Sequence, residues 1–163
     1  MKKFILIIAL LIAGTAQADH HRQHAVDKLD TAENYLRQAL AQGDIVFSCA
    51  GFTDFQQKRA TNFPDYLDRA FEDMFNAREL LANGGDLTVA RRMISQPHKK
   101  AGKDGGEPSA LHWVASQTRN MRFFFGPCPE NAQALSIMQQ KMTLGWTFLD
   151  LAVWHIVDAI LEE

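Results

Sequence analysis

Apolar residues recur along most of this chain at steps of three and four residues, which is the period of an amphipathic α-helix. One such stripe consists of Val26, Leu29, Ala32, Leu36, Ala39 and Leu40. No segment shows sustained alternation of apolar and polar residues, so strands are not needed to account for the pattern. The sequence therefore predicts an all-α protein.

Glycine, proline and aspartate residues mark the ends of the first three predicted helices. Gly43 is expected to end the first helix as a C′ glycine, and Asp44 to cap a second helix, from Ile45 to about Lys58. Pro64 suits the first turn of a third helix, which Gly84 and the glycine after it end.

The same punctuation predicts three more helices. Asp86 is expected to cap a short helix that stops before Pro97. Pro108 opens a fifth helix that runs to about Phe124, and the last helix covers about 130–161. The expected architecture is a single-domain bundle of about five to six helices.

The first 18 residues have the three parts of a secretory signal peptide. Two lysines precede a short apolar stretch, 4–13, and Ala-Gln-Ala follows at 16–18 as a small-x-small cleavage pattern. The apolar run is about half as long as a membrane span requires. We therefore expect cleavage after Ala18, a helical domain at 19–163 without a transmembrane segment, and a periplasmic location.

Cysteine content and charge narrow the classes of function. The two cysteines, Cys49 and Cys128, form an even pair, which in an oxidising compartment favours a disulfide. A catalytic or metal-binding thiol is the alternative, but neither cysteine belongs to a C-x-x-C pair. Loss of the leader, with two lysines and no acidic residue, changes the net charge from −2 to −4. A mildly acidic exported protein is a poor candidate for binding nucleic acid.

The predicted mature N-terminus, Asp19-His20-His21, is a candidate metal site. A free amine with histidine in third position offers four nitrogens in one plane: the amine, two deprotonated amides and the His21 imidazole. Square-planar nitrogen ligation suits Cu(II) or Ni(II). His20 and His24 lie close enough to add an axial ligand or a second site. The alternative is a solvated chain terminus with no biological metal.

His155 and Asp158 are the candidates for an enzyme site. They are three residues apart on the last predicted helix, so the aspartate can orient the imidazole, as in a hydrolase. Metal ligation by His98, His112 and His155 depends on folding to bring them together. No G-x-S-x-G, H-E-x-x-H or other catalytic motif is present. We therefore expect no enzymatic activity.

Two surfaces are candidates for contact with a partner. A basic loop contains Lys99, Lys100 and Lys103, which suits an anionic partner; a solvated loop is the alternative. Leu151 and Trp154 interrupt the polar arc of the last helix. An apolar patch in a polar rim is typical of an interface, but also of a helix covered on both sides, and we favour burial.

Together these observations predict an exported helical binding protein without catalytic activity or a resident cofactor. An inhibitor, an immunity factor or an envelope chaperone would fit this description, with another envelope protein as its partner. The alternative function is binding of Cu(II) or Ni(II) through Asp19, His20, His21 and His24.

Overall fold

The computed structural model describes residues 2–96 and 108–163, with side chains from residue 16 onward. These residues form six α-helices and no strand, so the predicted all-α fold is confirmed for them. The helices are α1 (Lys2–Leu40), α2 (Gly43–Val46), α3 (Asp54–Ala82), α4 (Leu87–Ser95), α5 (Ala110–Phe125) and α6 (Ala132–Glu162), with a 3₁₀ turn at Pro129–Asn131.

The first and last helices form the most extensive pair in the bundle. They run antiparallel, because Leu36 of α1 lies against Gly145 of α6 while His21 lies against His155. A Cβ atom at Gly145 would be 2.6 Å from Cγ of Leu36, so only glycine permits this approach. The middle of α1 thus meets the C-terminal part of α6.

The predicted disulfide is confirmed. Cys49, in the turn before α3, is bonded to Cys128, in the turn after α5, with their Cα atoms 6.3 Å apart. The bond closes a loop with a sequence separation of 79. That loop contains α3, α4 and α5, whereas α1 and α6 lie outside it.

The segment after α1 contains less helix than predicted. The expected helix from Ile45 to about Lys58 is wrong, because α2 ends at Val46. Gly43 belongs to α2 and has no positive φ, so it is not the C′ residue of α1. A new helix starts after Thr53, whose hydroxyl accepts from the Gln56 amide while the Gln56 side chain accepts from the Thr53 amide. This capping box satisfies helix-start donors and so fixes the boundary.

Pro64 lies inside α3, so its predicted place in the first turn is wrong. A proline inside a helix loses one hydrogen bond and clashes with the preceding turn. Burial of Ala60 and Phe63 on the inner face offsets this cost.

The end of α3 is as predicted. Gly84 has φ 67°, and the backbone amide of Gly85 donates to the carbonyl of Leu80.

Among the described residues, one segment is long and apolar enough to cross a membrane: Pro129–Glu162, which contains an 18-residue window with a mean hydropathy of 1.4. Core helices of globular proteins can have the same composition; α6 packs against α1 and α5, and 28% of this window is buried. The absence of a transmembrane segment and the cleavage after Ala18 stay predictions.

Candidate metal centre

Four histidines gather where α1 meets the C-terminal part of α6. His20, His21 and His24 come from α1, and His155 comes from α6. Nδ1 of His21 lies 3.3 Å from Nδ1 of His155. The ring of His24 stacks on that of His155, with their centroids 5.2 Å apart. The packing of the two helices therefore places imidazoles that are far apart in sequence side by side.

Two carboxylates of α6 extend this cluster. Asp158 follows His155 by three residues, so both lie on one face of the helix. One ligand atom each from His21, His155 and Asp158 fall within 4.8 Å of one another. Oε1 of Glu162 lies 3.6 Å from Nε2 of His21. The cluster thus offers imidazole nitrogens and carboxylate oxygens, both of which bind divalent transition metals.

One distance in the cluster already matches that between two ligands of a single metal ion. Ligand atoms at about 2.0–2.1 Å from a tetrahedral metal are roughly 3.3–3.4 Å apart. The 3.3 Å between the Nδ1 atoms of His21 and His155 already matches this separation. Oε2 of Glu162 is buried without a hydrogen-bond partner among the described residues. A buried acceptor without a donor is unusual, and a nearby cation would satisfy it.

The electrostatics of the cluster favour the neutral form of the His155 imidazole. Burial between the helices lowers the pKa of His155 below its ordinary value, and neighbouring His24, His21 and Lys28 lower it further. Asp158 acts in the opposite direction but is outweighed. Because a metal binds the neutral ring, these causes favour the ligating form of His155.

Arg22 fixes the position of this end of α1. Its guanidinium donates to the carbonyl of Gly85 at 2.8 Å and to Oε1 of Glu163 at 2.5 Å. One side chain thereby links α1 to the turn after α3 and to the last residue of the chain. Since Arg22 directly follows His21, these contacts hold His21 towards α6.

His20 and His24 form a second, more exposed pair of imidazoles. They lie one helical turn apart, with 3.0 Å between their Nε2 atoms. One ring donates and the other accepts in the neutral state. The pair supplies two further nitrogen ligands beside the group formed by His21 and His155.

The structure brings together residues that the sequence analysis treated as two separate sites. The predicted N-terminal ligands His20, His21 and His24 lie beside His155, which was considered for catalysis. Asp19 is exposed on α1 and is not in the group of close ligand atoms. Glu162 was not assigned to any site.

A chelate at the predicted N-terminus remains compatible with this fold. In a chain that begins at Asp19, the first four amides of α1 have no helical acceptor, so those of His20 and His21 are free to lose a proton. The proposed square-planar ligand set therefore stays a prediction.

Of the two remaining histidines, the structure describes His112, which does not join the cluster. Nδ1 of His112 pairs with the hydroxyl of Ser109 at 2.8 Å, at the start of α5. His98 lies outside the described residues. The predicted joint ligation by His98, His112 and His155 thus has no support from the residues that are described.

Of the two partner-binding candidates, the structure describes one. Leu151 and Trp154 are 39% and 60% exposed, so the expectation that they are buried is wrong. Neither α1 nor α5 covers this outer face of α6. Lys99, Lys100 and Lys103 lie outside the described residues.

Comparison of the chain with protein-family models, with curated proteins and with solved structures found no match. The interpretation of the site therefore depends on its own geometry.

Proposed function

We propose that this protein is an exported, non-catalytic binding protein that holds a divalent transition-metal ion between α1 and α6. The ligands are His21, His155 and Asp158, with His24 available as a fourth, while Glu162 lies at the other ring nitrogen of His21 and would orient that ring. The observation that carries the proposal is the convergence of these ligand atoms within 4.8 Å, from helices at opposite ends of the chain.

Cu(II) is the ion that we expect to bind most tightly. Divalent metals follow an affinity order that peaks at copper, and a set of imidazole and carboxylate ligands does not reverse it. Zn(II) accepts the same donors in tetrahedral geometry and is the strongest competitor. Ni(II) prefers the planar nitrogen set of a free N-terminus, so it distinguishes the two possible sites.

The test is a Cu(II) titration of protein whose N-terminus has been confirmed by mass spectrometry, with affinity measured against a chromophoric chelator. We expect His155→Gln to weaken binding at least tenfold, because it removes a ligand from α6. His112→Gln is the matched control, since this histidine lies outside the cluster. Its affinity should equal that of the wild type.

A second variant separates this site from the N-terminal chelate. One residue inserted before Asp19 moves His21 out of third position but leaves the group between the helices intact. Cu(II) binding should survive this insertion. If the insertion abolishes binding while His155→Gln has no effect, the chelate holds the ion and the proposed ligand set is wrong.

The exposed face of α6 supports a second candidate function, contact with another envelope protein. Trp154 and Leu151 lie one helical turn apart, and partly exposed tryptophans are typical anchors of interfaces. Capture from an envelope extract should yield a stoichiometric protein that Trp154→Ser loses. Phe123→Ser, at another exposed aromatic residue, should retain it. Retention by both variants would exclude this surface.

A further inference from the structure

A groove between α3 and α5 shares no residue with the histidine cluster. Its volume is about 520 Å³, within the range of about 300–1,000 Å³ typical of small-molecule sites. The groove is open along one side. Its size therefore suits a small ligand rather than a macromolecule.

Aromatic rings form much of the wall of this groove. Phe63 and Trp113 are buried, with their centroids 5.1 Å apart, and Tyr66 stacks on Trp113 at 5.9 Å. Phe55 and Tyr66 remain partly exposed at the rim. Such a surface binds the apolar body of a ligand through burial and ring stacking.

The charged side chains along the groove are cationic. Lys58 and Arg59 line it from α3, and none of the described residues that line it is a carboxylate. Arg59 lies over the ring of Phe124, at 4.4 Å from its centroid. Among the described residues, neither cation forms an ion pair with a carboxylate. The adjacent smaller pocket differs, since Glu72 and Asp73 line it.

An amide side chain of α5 also lines the groove. Gln117 is 7% exposed, and its side chain has no hydrogen bond with a described residue. The side chain therefore has an amide group available to a ligand in the groove. A ligand oxygen in the groove would accept a hydrogen bond from this amide.

From this combination we propose that the groove binds a small organic carboxylate with an apolar, preferably aromatic, body. The rings of Trp113, Phe63 and Tyr66 contact the body. Lys58 attracts the negative charge, and the Gln117 amide donates to a carboxylate oxygen. This binding is independent of the metal proposed above, because the two sites have no residue in common.

The test compares three ligands that differ only in their head group: 4-phenylbutyrate, 4-phenylbutanol and 4-phenylbutylamine. Binding to the exported protein is measured by isothermal titration calorimetry, with the shift in Tm as a second readout. We expect the carboxylate to bind at least tenfold more tightly than the alcohol, and the amine to bind most weakly. Equal affinities, or no binding of the carboxylate at millimolar concentration, would overturn the proposal.

Two variants test the residues that recognise the head group. Lys58→Ala changes an exposed side chain, so the fold should persist, and it should reduce the preference for carboxylate over alcohol by about threefold to tenfold. Gln117→Leu keeps the size of the side chain and should reduce the same preference. Lys141→Ala on α6 is the charge-matched control and should leave it unchanged. A Lys58→Ala variant that matches this control would exclude the proposed orientation.

Discussion

The disulfide between Cys49 and Cys128 should account for a large part of the stability of this bundle. Replacing both cysteines by alanine removes the covalent link and leaves no free thiol. In the chain-entropy model, the 79-residue separation corresponds to a loss of about 4.5 kcal/mol, an upper value because unfolded chains retain structure. The loss falls on the unfolding free energy of the whole chain, provided that the bundle unfolds in one transition.

This free energy converts to a measurable change in Tm. For a domain of this size, 1 kcal/mol shifts Tm by about 2–4 °C. We therefore expect the double alanine variant to melt about 9–18 °C below the oxidised wild type. Because both cysteines lie in turns and neither belongs to a helix, helix content below the new Tm should be unchanged.

The assay is thermal unfolding followed by circular dichroism at 222 nm, with and without a phosphine reductant. Reduction should bring the wild type close to the double variant, whose own Tm should not respond to the reductant. A difference below about 3 °C between oxidised and reduced wild type would refute the loop-entropy reasoning. So would two reactive thiols in native protein purified in air.

Two further predictions concern buried contacts. The Asn131 amide donates to two main-chain carbonyls and is 2% exposed, while its Oδ1 is buried without a partner among the described residues. Asn131→Ala removes both bonds and also this unpaired oxygen, so it should cost about 1–3 kcal/mol in urea unfolding; an unchanged midpoint would show that these bonds contribute nothing net. Gly145→Val inserts atoms where Leu36 lies, and should cost about 1–3 kcal/mol. Adding Leu36→Ala should restore part of the space that the valine needs. A double variant whose loss of unfolding free energy is no smaller than the sum of the two single losses would contradict this contact.

The apolar spacing was sufficient to predict the helical fold, because burial of one face governs where a helix persists. The glycine, proline and aspartate residues between the apolar stripes predicted most helix ends, but not the start of α3, where two start patterns compete. The capping box at Thr53 and Gln56 satisfies backbone amides at the helix start and so favours a start there. Proline is compatible with the first turn of a helix but does not stabilise a start in this way. The local sequence pattern does not show that burial of Ala60 and Phe63 keeps the segment between the capping box and Pro64 helical.

The exposure of Trp154 shows a different limit of sequence reasoning. A large apolar residue on the outer arc of a helix is buried only if another helix lies over it, and the sequence does not state which helices are neighbours. In this bundle α1 and α5 pack on other sides of α6, so Leu151 and Trp154 remain in contact with solvent.

The histidine cluster depends on the alignment of the first and last helices, which no local motif encodes. Gly145 lies against the carbonyl of Ala32. His21 precedes Ala32 by 11 residues and His155 follows Gly145 by 10, so at about 1.5 Å per residue both lie roughly 15–17 Å from this contact. The close approach at Gly145 thereby fixes which residues of α6 face His21. We therefore expect Gly145→Val to weaken Cu(II) binding as well as stability, although this position contacts none of the ligands.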